Sequence, residues 1–419
     1  MHILIDDIEQ HLWVAAVDKG RLQGLEIDPV NELVRWGSVY WGRVERIDKA
    51  LDAAFINLDG DQFGLLNNAD AFLIDSKGQP VKDTGDTAIG KKLKPGAFVL
   101  VQTKEGKIAP LDGDENFEDI DLPDKHPRLS MNITMPGRFL VYAPFEKGHR
   151  VSQRIREKTL RKRLEQLLNA TGLSDGFILR ASGVDTQNDV LIRESKILQA
   201  MWGQIQKFSE GADPQLIMLG PDALQRMLSD QAMQTITRID GADADLAALA
   251  EEWCDLFAPE LLAKIKFQLS AVDSKRVRPS LDFLSDHDLM SQIESLLSPY
   301  VLMEGGANII LQQTAALLAV DINRGADKRS SLAINTDAVK EIGRQMRLRN
   351  VGGAVLVDFL KMKSKKEEAS LLEALNDMTD LDPCTVQIHG FTKLGMVELT
   401  RQRRTPALIT RLENLLEFE

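Results

Sequence analysis

The feature that most constrains how this chain can fold is a matched pair of segments near its C-terminal end. Leu-Leu-Ala-Val runs into Asp321, with Ile322 and Asn323 following, and Ala-Val-Leu-Val runs into Asp358. Short apolar runs of this kind read as buried strands. Between them, Ala338, Val339, Ile342 and Met346 fall at helical spacing and predict a helix from about Asp337 to Arg349. Asn335 or Thr336 is a candidate cap for its start, and Gly352-Gly353 ends the connection. A strand–helix–strand crossover joins parallel strands. Both aspartates are therefore expected near the same end of one sheet, about 5 Å apart on adjacent strands or about twice that with a strand between. The carboxyl ends of parallel strands are also where α/β ligand sites form.

Two carboxylates at either spacing can flank one hydrated cation. Magnesium prefers oxygen ligands and keeps several waters, so Asp321 and Asp358 are candidate Mg2+ ligands. An ion held there could polarise a phosphodiester and lower the pKa of an attacking water. Asn323 shares a strand face with Asp321, because side chains alternate with period two. It could hydrogen-bond a phosphate or orient the aspartate. Periodicity alone leaves a second reading open, in which strand-end aspartates only cap loops or helices.

With 419 residues the chain exceeds one ordinary core, so several subdomains are expected. No run approaches the roughly 20 apolar residues of a membrane span, and the acidic start MHILIDDIEQ lacks the features of a signal peptide. Two cysteines, Cys254 and Cys384, exclude a disulfide framework or a four-cysteine zinc site within one chain. A reducing cytoplasm fits these traits. The net charge of −12 counts against a polyanionic partner. Its distribution is uneven, however. Acid gathers in DGDENFEDIDLPD (112–124) and base in KGHRVSQRIREKTLRKR (147–163). The basic run reads either as a surface that steers RNA or as a solvated helix face.

Residues 1–34 alternate as a β-meander, with Lys19-Gly20 at a turn. Short strands SVYWGRVERI, DAAFINL, FGLL and GAFVLVQTKEG predict a small closed barrel, and DLPDKHPRLS marks a boundary near 125. Strands RFLVYAP and GFILRAS follow, around a basic helix beginning near Ser152. A strand (QLIML), helices and IKFQL lead to the α/β pattern from 284 onward.

Four consecutive blocks, GGANIILQQTAALLAVDINRG, RQMRLRNVGG, AVLVDF and QIHGFTKLGMVELTRQR, resemble in order and spacing the catalytic core of the ribonuclease E/G family. The resemblance implies that Asp321 and Asp358 bind a catalytic magnesium with Asn323 beside them. It also makes SVYWGRVERIDKALDAAFINLDGDQFGLL similar to the family's RNA-binding barrel, with Phe55 matching an aromatic that stacks on bases and Lys104 and Lys125 as candidate backbone contacts. GFILRASGV resembles a pocket for an RNA 5′-monophosphate, with Arg180 matching its phosphate-binding arginine. The implied fold is α/β and multi-subdomain. An RNase H-like base at 1–36 and 213–280 carries an inserted OB-type RNA-binding barrel (37–125) and a 5′-sensor-like subdomain (126–212). A deoxyribonuclease-like α/β catalytic subdomain (281–404) and a C-terminal tail (405–419) follow.

The departures from the family pattern are specific. Ala181 replaces a threonine of the phosphate pocket, Leu65 replaces a second barrel aromatic, and Lys361 stands where many members carry a further acid. The loop NRGADKRSS is shorter than usual, and the zinc-link cysteine pair is missing, so the family's zinc-bridged dimer is not predicted from those residues, while a homo-oligomer of another kind stays open. The expected function is magnesium-dependent, endonucleolytic hydrolysis of single-stranded RNA in processing or decay. The alternatives are an RNA-binding protein of the same fold with weak or no catalysis, and a metal phosphodiesterase with another substrate.

Overall fold

A computed structural model describes residues 1–32, 34–74, 80–81, 87–105, 126–232, 234–267, 289–314 and 316–416. The chain divides into two compact units, Met1–Ile27 with Gln268–Glu419, and Asp28–Phe267. The acidic run 112–124 lies outside the described residues.

In the Asp28–Phe267 unit, the strands Val39–Asp48, Ala53–Asn57, Phe63–Asn67, Arg128–Ser130 and Phe98–Thr103 follow one another around a sheet. The last pairs back onto the first, closing a five-stranded barrel, and Gln215–Met218 adds outside Val39–Asp48. Closure removes sheet edges. Val44, Ala54, Ile56, Leu66, Val99, Val101 and Leu129 fill the interior. Gly64 is required here, because a Cβ would meet the Leu129 side chain within 3 Å. Arg226 and Asp28, both almost fully buried, form a two-pronged ion pair at 2.7 and 2.8 Å.

A four-stranded sheet follows, in the order Met135–Pro136, Leu140–Tyr142, Phe177–Leu179, Arg150–Val151. The basic helix spans Lys158–Ala170, so it starts six residues after the expected Ser152. The reason is local. Ser152 begins a turn, its hydroxyl accepting from Arg154 N and its carbonyl from Ile155 N, and the Arg161 guanidinium donates to the carbonyls of Val151, Ser152 and Ile155.

In the other unit the first two strands, His2–Ile8 and His11–Asp18, pair antiparallel as the alternation predicts. The C-terminal part holds a six-stranded sheet ordered Tyr300–Leu302, Asn308–Gln313, Leu317–Asn323, Gly353–Asp358, Val397–Arg401, Val386–Phe391. One face is dry. Ile309, Leu311, Leu318, Val320, Ile322, Val355, Val357, Val397 and Leu399 pack against Ile334, Val339, Ile342 and Met346 of one helix and Leu371, Leu375 and Met378 of another. Those helices, Ser331–Leu348 and Lys365–Asp380, begin at Ser330 and Ser364, whose hydroxyls accept from backbone N–H groups three residues on. Gly343 lets the two helices approach, since a Cβ would strike Met378 at 2.4 Å.

The crossover helix therefore starts earlier than its apolar spacing suggested. Asn335 and Thr336 lie inside it, and Ser330 is the cap. Asn350, in the left-handed conformation (φ 48°), ends it. Arg401 and Asp382, fully buried, form an ion pair at 2.9 Å, and Arg401 also donates to Val351 O, fixing the strand ends. The stretch 405–416 is an ordered part of this unit. Asn350 Nδ2 donates to the carbonyls of Thr405 and Pro406, Leu408 N donates to Arg349 O, and the helix Leu408–Leu416 begins there.

Candidate active site

Asp321 and Asp358 are direct cross-strand neighbours. Their strands run parallel and adjacent, and the register pairs Leu317 with Ala354 through to Asp321 with Asp358. Adjacent strands lie about 4.8 Å apart. Ile322 and Val357, the flanking residues, are buried in the helix-covered core. Alternation then turns both aspartates to the opposite face, where both side chains are exposed. Of the two spacings expected for the carboxylates, the shorter one is realised.

Asn323 lies on the same face, and its Nδ2 donates to Asp321 Oδ2 at 2.9 Å. This bond fixes the carboxylate against its neighbour and orients one oxygen. The backbone after Asp358 is held from behind by Asn335, which is fully buried. Its Nδ2 donates to Leu360 O (2.8 Å) and its Oδ1 accepts from Leu360 N (3.1 Å). This is a two-sided clamp on the segment that carries one of the paired acids. Sequence reading took Asn335 for a possible cap and missed this role. A polar residue amid the apolar helix positions Ile334, Ala338 and Val339 was the available signal.

The short loop after Asn323 is also preorganised. Asp327 accepts from the backbone and guanidinium of Arg329, which hold its carboxyl below the usual range. Arg329 reaches Asp337 at 2.7 Å, and Arg324 donates to the Asp327 carbonyl. Lys361 is exposed three residues beyond Asp358. The same open face carries Glu398, exposed and opposite Leu356, and His389, whose ring nitrogen lies 3.1 Å from Thr400 Oγ1.

The remaining expected site residues lie in the Asp28–Phe267 unit. Phe55 points outward from the barrel between the buried Ala54 and Ile56 and is half-buried. The Arg46 guanidinium sits 3.6 Å over its ring and His126 meets its edge. Leu65 is its direct strand neighbour. Lys104 is not a free surface cation. Its ammonium donates to Gln102 Oε1 and Asn132 O, both at 3.0 Å, and burial brings its pKa down to about 8. Lys125 lies outside the described residues.

Arg180 donates to Gly137 O at 2.7 Å and lies 3.5 Å from Asp230 Oδ1. Ala181 begins the tight turn that follows, and the hydroxyl of Ser182 donates to Arg138 O. The loop these groups grip is folded onto Glu194, which accepts from the N–H groups of Phe139 and Leu140 and whose pKa burial raises.

Among the described residues no cluster of three or more His, Cys, Asp or Glu side chains could hold a metal, and no helix is long and apolar enough to cross a membrane. Cys254 and Cys384 are buried and, among the described residues, in no disulfide. The family model described as "Ribonuclease E/G family" matches residues 134–404. This chain belongs to the ribonuclease E/G family. Ribonuclease E of Synechocystis sp. is 30% identical over 416 residues, covering 94% of this chain and 56% of the relative. Ribonuclease E of Nostoc sp. is also 30% identical, over 94% of this chain and 55% of its own length. Ribonuclease G of Escherichia coli (strain K12) is 27% identical over 96% of this chain and 79% of the relative. The chain thus spans little more than half the length of these two ribonuclease E relatives. The six strands of the sheet that carries Asp321, Asn323, Asp358 and the open face, from Tyr300 to Arg401, fall inside the family match.

Proposed function

We propose that this chain is a magnesium-dependent endoribonuclease that cuts single-stranded RNA in processing or decay, in the cytoplasm. The observation that carries the reading is the in-register pairing of Asp321 with Asp358 on an exposed sheet face, with Asn323 bonded to Asp321. Two carboxylates with room for water fit magnesium, which takes one or two protein carboxylates, waters and a substrate phosphate. Bound there, the ion would supply Lewis-acid stabilisation of the phosphate and a more acidic water. Asp321 and Asp358 would hold the ion. Asn323 keeps Asp321 in one rotamer, and Asn335 keeps the Asp358 segment still, so little reorganisation is left for the reaction itself.

The rest of the fold supplies the substrate path in this reading. The closed barrel is the OB-type RNA-binding module, with Phe55 and Arg46 as its stacking group. The four-stranded sheet that bears Arg180 is the 5′-sensor-like subdomain. In this reading an RNase H-like base and a deoxyribonuclease-like catalytic subdomain complete the family arrangement. A second reading, RNA binding with weak or no cleavage, draws on exposed Lys361 near Asp358. Incubation of labelled single-stranded RNA with the protein, with and without magnesium, separates the two. Magnesium-dependent internal cleavage supports the enzyme; binding with intact RNA in both lanes supports the second reading.

A further inference from the structure

The row of side chains that contains the carboxylate pair continues across the sheet to its edge strand. Asp358 is opposite Asp321, Asp321 opposite Ile310, and Ile310 opposite Tyr300. Direct cross-strand neighbours point to the same face. Tyr300 therefore stands on the open face, two strands from Asp321, at about 10 Å by strand spacing. The residue is 65% exposed, and its backbone N–H, bonded to Ser298, is its sole polar contact among the described residues beyond the strand ladder. Leu302, 80% exposed and opposite Asn308, belongs to the next row, which ends at Asn323. An aromatic with no side-chain hydrogen bond or ring partner among the described residues and an aliphatic side chain flank the polar pair, with half-buried Ile310 as the floor between.

We propose that Tyr300 stacks on a nucleobase flanking the scissile phosphate, making the edge strand a base-holding platform of the substrate track. The inference rests on the endoribonuclease reading for its occupant. The geometry that favours it is the shared row. A strand of RNA whose phosphate lies at Asp321 and Asp358 and whose chain crosses the sheet passes its bases over Ile310 and Tyr300. An exposed phenol ring offers stacking area without committing to one base, since every base has a π-face. The negative charge of Asp321, Asp358 and Glu398 on the same face repels phosphates unless a cation is present, so an uncharged contact for the base is the attraction this edge can offer.

The test compares the parent with Tyr300→Ala, Tyr300→Phe and Tyr300→Trp on short single-stranded RNAs, either intact or abasic at one position next to the cut. Tyr300→Ala should lower kcat/KM on intact RNA about tenfold, mostly through KM, as loss of one stacked base implies. Phe and Trp should restore it, and an abasic site at the stacked position should bring parent and Tyr300→Ala to the same rate. Equal cleavage of intact RNA by parent and Tyr300→Ala overturns the proposal, as does a loss of the same size on abasic RNA. If the parent cuts no RNA, the endoribonuclease reading fails separately. The platform is then tested by binding RNAs with 2-aminopurine at successive positions: quenching at one position that Tyr300→Ala abolishes upholds it, and quenching unchanged by the variant overturns it. A variant that turns a dimer into a monomer in light scattering, with no base-dependent effect, assigns the edge to a contact between copies and also overturns it.

Discussion

Asn323 donates a hydrogen bond of 2.9 Å to Oδ2 of Asp321, two residues back on the same strand face. The bond spends one lone pair of the carboxylate and leaves the other oxygen free for a cation, which gives the amide a positioning role. Asn323→Ala should therefore raise the magnesium concentration needed for half-maximal activity by roughly ten- to hundredfold, the range typical for residues that orient a metal ligand. Excess magnesium should recover much of the rate. A rate loss that no magnesium concentration relieves would show that Asn323 meets the substrate instead.

The Arg180 guanidinium is already engaged by Gly137 O and lies near Asp230, and Ala181 has no hydroxyl to offer beside it. RNAs matched in sequence, with 5′-monophosphate or 5′-hydroxyl ends, should be cut at rates within a few-fold of each other. Parallel single-turnover assays measure this. A large monophosphate advantage would mean that Arg180 exchanges its internal partners for the phosphate and that Ser182 or a backbone donor completes the pocket.

Lys158, Lys162 and Arg163 are exposed on the helix Lys158–Ala170, with Lys158 in its first turn, where the macrodipole is already positive. Cations there cost helix stability, and a polyanion would relieve that cost. Changing all three to Glu should weaken RNA binding irrespective of sequence and lower the salt slope of log K by roughly two, at ~0.7 per phosphate contact on single strands. An unchanged affinity and slope, measured by anisotropy between low and moderate salt, would leave the run as a solvated face.

Lys104 titrates near 8 in the folded barrel, depressed chiefly by burial, against about 10.4 in an unfolded chain. Below pH 8 both states are protonated. Between about 8 and 10.4 the folded state releases a proton that the unfolded state keeps, so this group makes stability rise with pH there. The contribution is at most about 1.4 kcal/mol per pH unit. Denaturant unfolding of parent and Lys104→Gln at pH 7, 8, 9 and 10 checks it: the stability difference between the two should grow in favour of the parent above pH 8. A difference independent of pH would contradict the buried ammonium.

The parallel crossover and its two aspartates were legible in the sequence because four-residue apolar runs and a 3.6-residue period are strong local signals, and the register then placed Asp321 against Asp358. Helix starts were less legible. Ser330 caps the crossover helix ahead of the start near Asp337 that its apolar spacing predicts, and the turn at Ser152–Ile155 delays the basic helix, because in both places side-chain bonds to backbone decide the boundary rather than periodicity. The internal engagement of Lys104 and Arg180 was illegible for a different reason. Their partners, Asn132 and Gly137 or Asp230, come from distant segments, and composition alone makes any lysine or arginine look free. The Asn335 clamp on Leu360 is of the same kind.

The most direct measurement of the central claim is cleavage of a labelled single-stranded RNA, in magnesium, by the parent, Asp321→Asn and Asp358→Asn, with RNA affinity measured alongside. Each substitution keeps the side chain's size and removes one negative ligand. The account predicts that each variant loses at least about a hundredfold in rate, while RNA affinity stays within a few-fold of the parent. A parent that cleaves, with both variants cleaving as fast, would contradict the assignment of the carboxylate pair as the metal-binding centre.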